Sequence, residues 1–216
     1  MIVQGNPVNI IEYMKSFNRK ERFHLIGQFM GNQDFRLSNE TLNNISELIG
    51  VKISTEYFSA MDYHLDWVYA SLAISLKSGN IPRARDLDCV TGTQQDVDFI
   101  LAFEDGNSIT HIVMIEAKGK TSFENAQMIS KGKRLKAIFG EGGDVWENVK
   151  PHFLICSPKK PKNLKLETLP KFMINKKSGG LIWFQLNMPS FQQKVTRCNE
   201  TGKSEQNGSH WKTEIA

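Results

Sequence analysis

The chain has 216 residues, 40% of them apolar and 23% charged, which excludes a collagen-like, low-complexity or disordered protein and makes one decorated domain the expectation. No apolar run approaches the ~18 residues of a membrane span, and residues 1–12 lack the charged n-region and cleavage site of a secretory signal. The formal net charge of +4 hides an asymmetry, because residues 118–177 carry 14 Lys and Arg against 5 Asp and Glu while residues 1–117 carry 9 against 15. That split suits a basic face beside an acidic cluster, a layout for holding a polyanion near a bound metal. On charge counts alone, lysines spread over solvated helices and loops are the simpler account of the same split. Cys89, Cys156 and Cys198 are odd in number and form no CxxC pair. A disulfide framework or zinc finger is therefore not expected, and a reducing cytoplasm fits.

In chain order, apolar residues near 3.6 spacing predict helices over residues 8–17 and 21–30. Ser38 is a candidate N-cap for a helix over residues 41–49 that ends at Gly50. Ser59 and Asp62 have the spacing of a capping box, followed by a helical stripe of Leu65, Val68, Leu72 and Leu76 over residues 61–76. Gly79, Asn80 and Pro82 end it. The period then changes to that of strands. Residues 87–90 are a short strand candidate, residues 91–93 a turn, and residues 97–103 a clear strand. Asp105-Gly106 marks a hairpin into a return strand over residues 109–118. A helix over residues 123–139 ends at Gly140, and further strands are predicted at residues 153–156 and 181–186. Between them Pro158-Lys159-Lys160-Pro161-Lys162 forms a basic loop, and residues 192–216 read as a polar hairpin or tail. Antiparallel hairpins followed by a helical crossover to a parallel strand give an α/β fold with a mixed sheet.

Two acids interrupt apolar strands: Asp98 in the run QQDVDFILAF and Glu116 in HIVMIEAKGK. Residues i and i+2 of a strand share a face, so Glu116 and Lys118 project together. Neighbouring strands lie about 4.8 Å apart, which lets Asp98 meet Glu116 across the hairpin. Two carboxylates at that range repel unless a cation joins them, and a hard divalent ion resolves the conflict. Each residue also has a plainer role available: Asp98 as an edge or turn carboxylate, Glu116 and Lys118 as a surface ion pair, Gln127 as an exposed helical amide, and Asp96 as a solvated or supporting acid.

Asp98 followed by Glu116-Ala117-Lys118 after a hairpin resembles the active-site pattern of the PD-(D/E)xK nuclease superfamily, which includes restriction enzymes and Holliday-junction resolvases. The resemblance covers roughly residues 59–156. Gln127, in ENAQMISKGKRL, stands where several members carry a glutamine on the following helix. Val97 replaces the proline of the superfamily's name. The resemblance implies a restriction-endonuclease-like three-layer core with a mixed sheet of about five strands, spanning residues 59–190. An N-terminal helical region, residues 1–58, would precede it, and the polar hairpin or tail of residues 191–216 would follow.

The same resemblance implies a metal-dependent DNA endonuclease. Asp98, Glu116, Lys118 and Gln127 would be its catalytic set. Asp98, Glu116 and the Ala117 carbonyl would hold Mg²⁺ or Mn²⁺. A further acid from the preceding helix is implied, with Asp66 preferred over Asp62 and Glu56. Lys120, Lys131, Lys133, Arg134, Lys159, Lys160 and Lys162 are the expected contacts to the DNA backbone. DNA is thus the expected partner, with no membrane, and the N-terminal helices suit either a homodimer contact or substrate reading. Two other readings compete: a non-catalytic nucleic-acid or protein binding module on the same fold, and a metal-dependent nucleotide phosphohydrolase. A complete Asp98, Glu116 and Lys118 set weighs against the first, and the second calls for a closed pocket rather than an open basic groove.

Overall fold

A computed structural model describes residues 9–76, 89, 90, 92, 95–189 and 191–215. The chain begins with three helices. Helix α1 (Ile10–Phe17) starts where the Asn9 side chain accepts the Glu12 N–H, and it buries Ile10, Ile11 and Met14. Helix α2 spans Glu21–Phe29. Helix α3 (Asn39–Ile49) opens at Ser38, whose hydroxyl accepts the Thr41 N–H at 3.2 Å. It closes at Gly50, in the left-handed conformation that glycine adopts without strain.

The next segment departs from the predicted helix. Strand β1 (Tyr57–His64) precedes helix α4 (Leu65–Leu76) directly, with no loop between them. Ser59 is therefore not a helix cap. It lies in β1 and donates its hydroxyl to the Phe35 carbonyl at 2.6 Å. The helical stripe is real but starts only at Leu65, and Leu65, Val68 and Leu72 are fully buried while Leu76 is exposed. In residues 57–64 pairing with the neighbouring strand overrides local helical signals. Asp62 sits at φ 49°, a conformation Asp tolerates better than branched residues do, and it shifts the alternation so that Tyr63 rather than Asp62 enters the core.

Strands β2 (Asp96–Glu104) and β3 (Thr110–Ala117) form the expected hairpin. Its loop is closed by Asp105 Oδ1, which accepts from the Asn107 and Ile109 amides at 2.8 and 3.0 Å. Helix α5 (Asn125–Phe139) crosses to β4 (Val149–Ser157), parallel to β3, and β5 (Ile182–Gln185) lies parallel to β4. The result is an α/β fold with a mixed five-stranded sheet in the order β1-β2-β3-β4-β5. The first strand of the antiparallel meander is β1 rather than residues 87–90. Of those, Leu87 and Asp88 lie outside the described residues, and Cys89 and Val90 belong to no strand. In the predicted turn at residues 91–93, Thr91 and Thr93 likewise lie outside them, as do Gly79, Asn80 and Pro82.

Three layers follow from which residues each sheet face buries. Ile100, Ala102, Ile112, Met114 and Phe153 pack with Met14 of α1, Leu65 and Leu72 of α4, and Leu135 of α5. Leu101, Phe103, Val113 and Leu154 pack on the other face with Ile45 of α3. Tyr63 donates its hydroxyl to the Met14 carbonyl at 2.9 Å, tying the N-terminal helices to the sheet. Strands β6 (Gln193–Cys198) and β7 (His210–Ile215) form a separate antiparallel hairpin. Cys89, Cys156 and Cys198 are buried and form no disulfide with one another. Among the described residues no helix is long and apolar enough to cross a membrane.

Candidate active site

The site forms where the two central strands part. The β2–β3 pairing ends at Phe99 opposite Ile115. Beyond that point β2 continues only against β1, to Asp96 opposite His64, and β3 continues only against β4. The Lys118 N–H bonds the Cys156 carbonyl of β4 at 2.8 Å, so the Ala117 N–H and C=O point the other way, toward β2. Asp98 fills the gap, its Oδ2 accepting the Ala117 N–H at 2.6 Å. A side-chain oxygen thus satisfies an amide that the diverging backbone leaves behind. Among the described residues, Asp98 Oδ1 makes no hydrogen bond.

Glu116 stands beside it, 2% exposed, on the sheet face covered by α5. Gln127 Nε2 donates to Glu116 Oε1 at 2.9 Å, and Lys131 is ion-paired with Oε2. Lys118 Nζ lies 3.8 Å from Oε1. Burial pushes the Glu116 carboxyl above its ordinary range; Lys131 pulls it back, and the nearby Asp98 charge pushes it up again. Asp98, Glu116, Lys118 and Gln127 are therefore one cluster, built from two diverging strands and the first turn of α5.

The basic residues divide into two groups. Lys131 and Arg134, expected on a DNA-facing surface, are 3% and 5% exposed and point inward. The reason is helical spacing: Gln127, Lys131 and Arg134 fall at i, i+4 and i+7, one face of α5, and that face covers the sheet. Arg134 pairs with Asp66 and donates to the Cys89 carbonyl at 2.7 Å. Lys120, Lys133, Lys159, Lys160 and Lys162 are exposed. Four of them, all but Lys133, line one cleft of about 610 Å³ between residues 119–125 and 157–164, beginning next to Lys118. Among the described residues none of these four is in an ion pair. Asn125 fastens the two walls together, donating to the Asn163 carbonyl at 3.0 Å and accepting the Lys165 N–H at 2.8 Å.

Among the described residues none of the three acids considered as an additional ligand completes a three-carboxylate cation site with Asp98 and Glu116, although the strand register sets Asp62 across from Asp98. The Asp66 carboxylate is held by Arg134 and the Gly92 N–H, Asp62 pairs with Arg22 at 2.9 Å, and Glu56 faces Arg36 at 3.9 Å. Asp96, open from the sequence as either a solvated or a supporting acid, has partners on three sides. Its Oδ2 lies 3.1 Å from Lys20 Nζ and its Oδ1 2.7 Å from His64 Nδ1, while its carbonyl accepts from Lys131 at 2.7 Å. Burial lowers the His64 pKa, with Asp96 opposing the shift. Nothing local in the sequence marks this network, whereas the i, i+4 step from Gln127 does place Lys131 at the cluster.

Among the described residues no three His, Cys, Asp or Glu side chains converge as a metal cage. Two carboxylates and a backbone carbonyl, with one carboxylate oxygen unbonded, do fit the habit of Mg²⁺, which takes one or two protein carboxylates and completes its shell with water and phosphate oxygens. No protein-family model, curated protein or solved structure matches the chain.

Proposed function

We propose that the protein is a metal-dependent DNA endonuclease of the PD-(D/E)xK type that hydrolyses phosphodiester bonds. The observation that carries this reading is the clustering of Asp98, Glu116 and Lys118 where β2 and β3 part. Asp98, Glu116 and the Ala117 carbonyl would hold Mg²⁺ or Mn²⁺. When bound, such an ion polarises a phosphate and acidifies a coordinated water. Lys118, on the same side of β3 as Glu116, orients the attacking water and offsets charge building on the phosphate oxygens. Gln127 fixes the orientation of Glu116 through Oε1. Lys120, Lys159, Lys160 and Lys162 hold the DNA backbone along the adjoining cleft without reading sequence. Lys133, on the exposed side of α5, supplies longer-range attraction.

The test is incubation of plasmid, linear and branched DNA with Mg²⁺, Mn²⁺, Ca²⁺ or excess EDTA, beside an Asp98→Asn control. Cleavage should require Mg²⁺ or Mn²⁺ and vanish in the variant. Cleavage in EDTA, or by Asp98→Asn at the wild-type rate, places the chemistry elsewhere. One observation favours a second reading, a non-catalytic binding module: both Glu116 oxygens are already matched by Lys131 and Gln127. Under that reading DNA binds in the lysine cleft but is left intact in every metal.

A further inference from the structure

Lys131 is as deeply enclosed as the carboxylate it faces. Its ammonium is ion-paired with Glu116 Oε2 and also donates to the Asp96 carbonyl of β2. With Gln127 on Oε1, helix α5 supplies a partner to each oxygen of Glu116. A buried carboxylate without a counter-charge costs several kcal/mol, and here Asp98 brings a second negative group alongside. Lys118 is placed differently. Its side chain is 22% exposed and its ammonium stands 3.8 Å from Oε1, so water solvates it and it is free to turn toward a phosphate. Lys131 has no such freedom, because the Asp96 carbonyl anchors it. The space between Asp98 and Glu116 is also where a hard divalent ion would find its oxygen donors. An ammonium and a divalent ion cannot both sit in contact with Oε2, since like charges at that range repel strongly in a buried setting.

We propose that Lys131 is the resident counter-cation of Glu116, holding the carboxylate in the metal-free protein and releasing Oε2 when a divalent cation binds between Asp98 and Glu116. The inference rests on the metal-dependent reading above. Lys131 acts through Glu116 and is a positioning residue. On release it keeps its bond to the Asp96 carbonyl, so the same ammonium returns to Glu116 when the cation leaves. Such a device keeps two neighbouring carboxylates folded and ordered between turnovers, at the expense of weaker cation affinity.

That expense is measurable. A unit charge within about 4–6 Å changes an ionic equilibrium by about one to three powers of ten. Isothermal titration of Mg²⁺ and of Mn²⁺ alone, without nucleic acid and at mildly alkaline pH, compares the wild-type chain with Lys131→Met, Lys118→Met and Asp98→Asn. Lys131→Met should bind the cation at least about tenfold more tightly. Lys118→Met should change affinity by less than about threefold, being more distant and better solvated. Asp98→Asn should lose binding. A folded Lys131→Met with unchanged or weaker affinity overturns the proposal and leaves the metal-dependent reading intact. A wild-type protein that binds neither cation overturns both. A second measurement needs no folded Lys131→Met: the side-chain Cε resonance of Lys131, assigned by its loss in Lys131→Arg, should shift as Mg²⁺ is added to wild type. A Lys131 resonance that stays in place at saturating Mg²⁺ also overturns the proposal.

Discussion

At the far end of β3 from the cluster, three titratable groups form a partly buried chain whose consequence is a pH-dependent stability. His152 Nε2 lies 2.9 Å from His111 Nδ1, and His111 Nε2 lies 3.2 Å from Asp105 Oδ2. With His152 donating to His111 and His111 donating to Asp105, each hydrogen bond is satisfied by neutral rings. Phe103 stacks on the His111 ring with centroids 5.0 Å apart, closing the far side. Burial lowers the His152 pKa from 6.5 to about 4, and electrostatic interactions with His111 and Lys150 add to the shift. The folded value lies below the unfolded one, so between the two the unfolded chain binds more protons and stability falls with falling pH. The His152 contribution is intact above about 6.5 and is lost progressively down to about 4. A difference of about 2.5 pH units at 1.36 kcal/mol each is about 3 kcal/mol, or very roughly 6–12 °C in Tm for a chain of this size. His152→Gln keeps a donor for His111 but cannot be protonated. Urea-denaturation midpoints from neutral pH down to about 4 should therefore fall more steeply for wild type than for His152→Gln, by about 3 kcal/mol over that span. Parallel pH profiles for the two proteins would refute the reasoning.

Lys118→Ala should abolish cleavage while leaving most DNA affinity, measured by anisotropy of a labelled duplex; loss of affinity equal to the loss of rate would put Lys118 among the binding groups. Replacing Lys159, Lys160 and Lys162 together by Ala should weaken binding to all sequences alike and reduce the slope of log K against log salt by about 3, and an unchanged slope would remove the cleft from the interface. Ca²⁺ should raise DNA affinity without supporting cleavage, because its looser shell aligns an attacking water poorly, and Asp98→Asn should abolish that gain in the same anisotropy assay. Ser38→Ala should cost about 1 kcal/mol in thermal or urea unfolding, since the Thr41 N–H loses its acceptor at the start of α3.

How far the sequence was legible depended on whether a residue's partner was near it in the chain. Ser38, Gly50 and the Asp105 hairpin are local signals, and each forms as read. The β2–β3 hairpin then fixes which residues face each other, which is why strand spacing alone suffices to bring Asp98 to the Glu116 strand. Strand β1 was not legible because its pairing partner β2 lies about thirty residues on, and because the true helical stripe of α4 begins immediately after its last residue and masks the boundary. The pairing of Arg134 with Asp66 was hidden for the same reason: Asp66 lies 68 residues away and no local pattern links them. Charge counts record that residues 118–177 are basic but not which side of α5 each base occupies. The helical step from Gln127 does record it, and places Lys131 and Arg134 against the sheet while Lys133 and Lys136 stay in solvent.

Charge balance explains why the cluster includes two lysines rather than one. Asp98 and Glu116 carry two negative charges, and Lys118 and Lys131 two positive ones. The metal-free cluster is therefore neutral in sum, which is the condition for keeping a carboxylate as buried as Glu116 inside a folded domain. A divalent cation added to that balance would leave an excess of two positive charges at the mouth of a cleft lined by Lys120, Lys159, Lys160 and Lys162. In the proposed reaction a phosphodiester and an attacking hydroxide would bring two negative charges and restore neutrality. With a single lysine the metal-free carboxylates would carry a net negative charge and the pocket would repel the DNA backbone before the cation arrived. With Lys131 in place the metal-free cluster is neutral in sum, and under the proposed function a bound cation would add attraction for a phosphate to that of the cleft lysines. Under the proposed function DNA affinity and cation affinity would be linked through Glu116, and each should strengthen the other by the same factor.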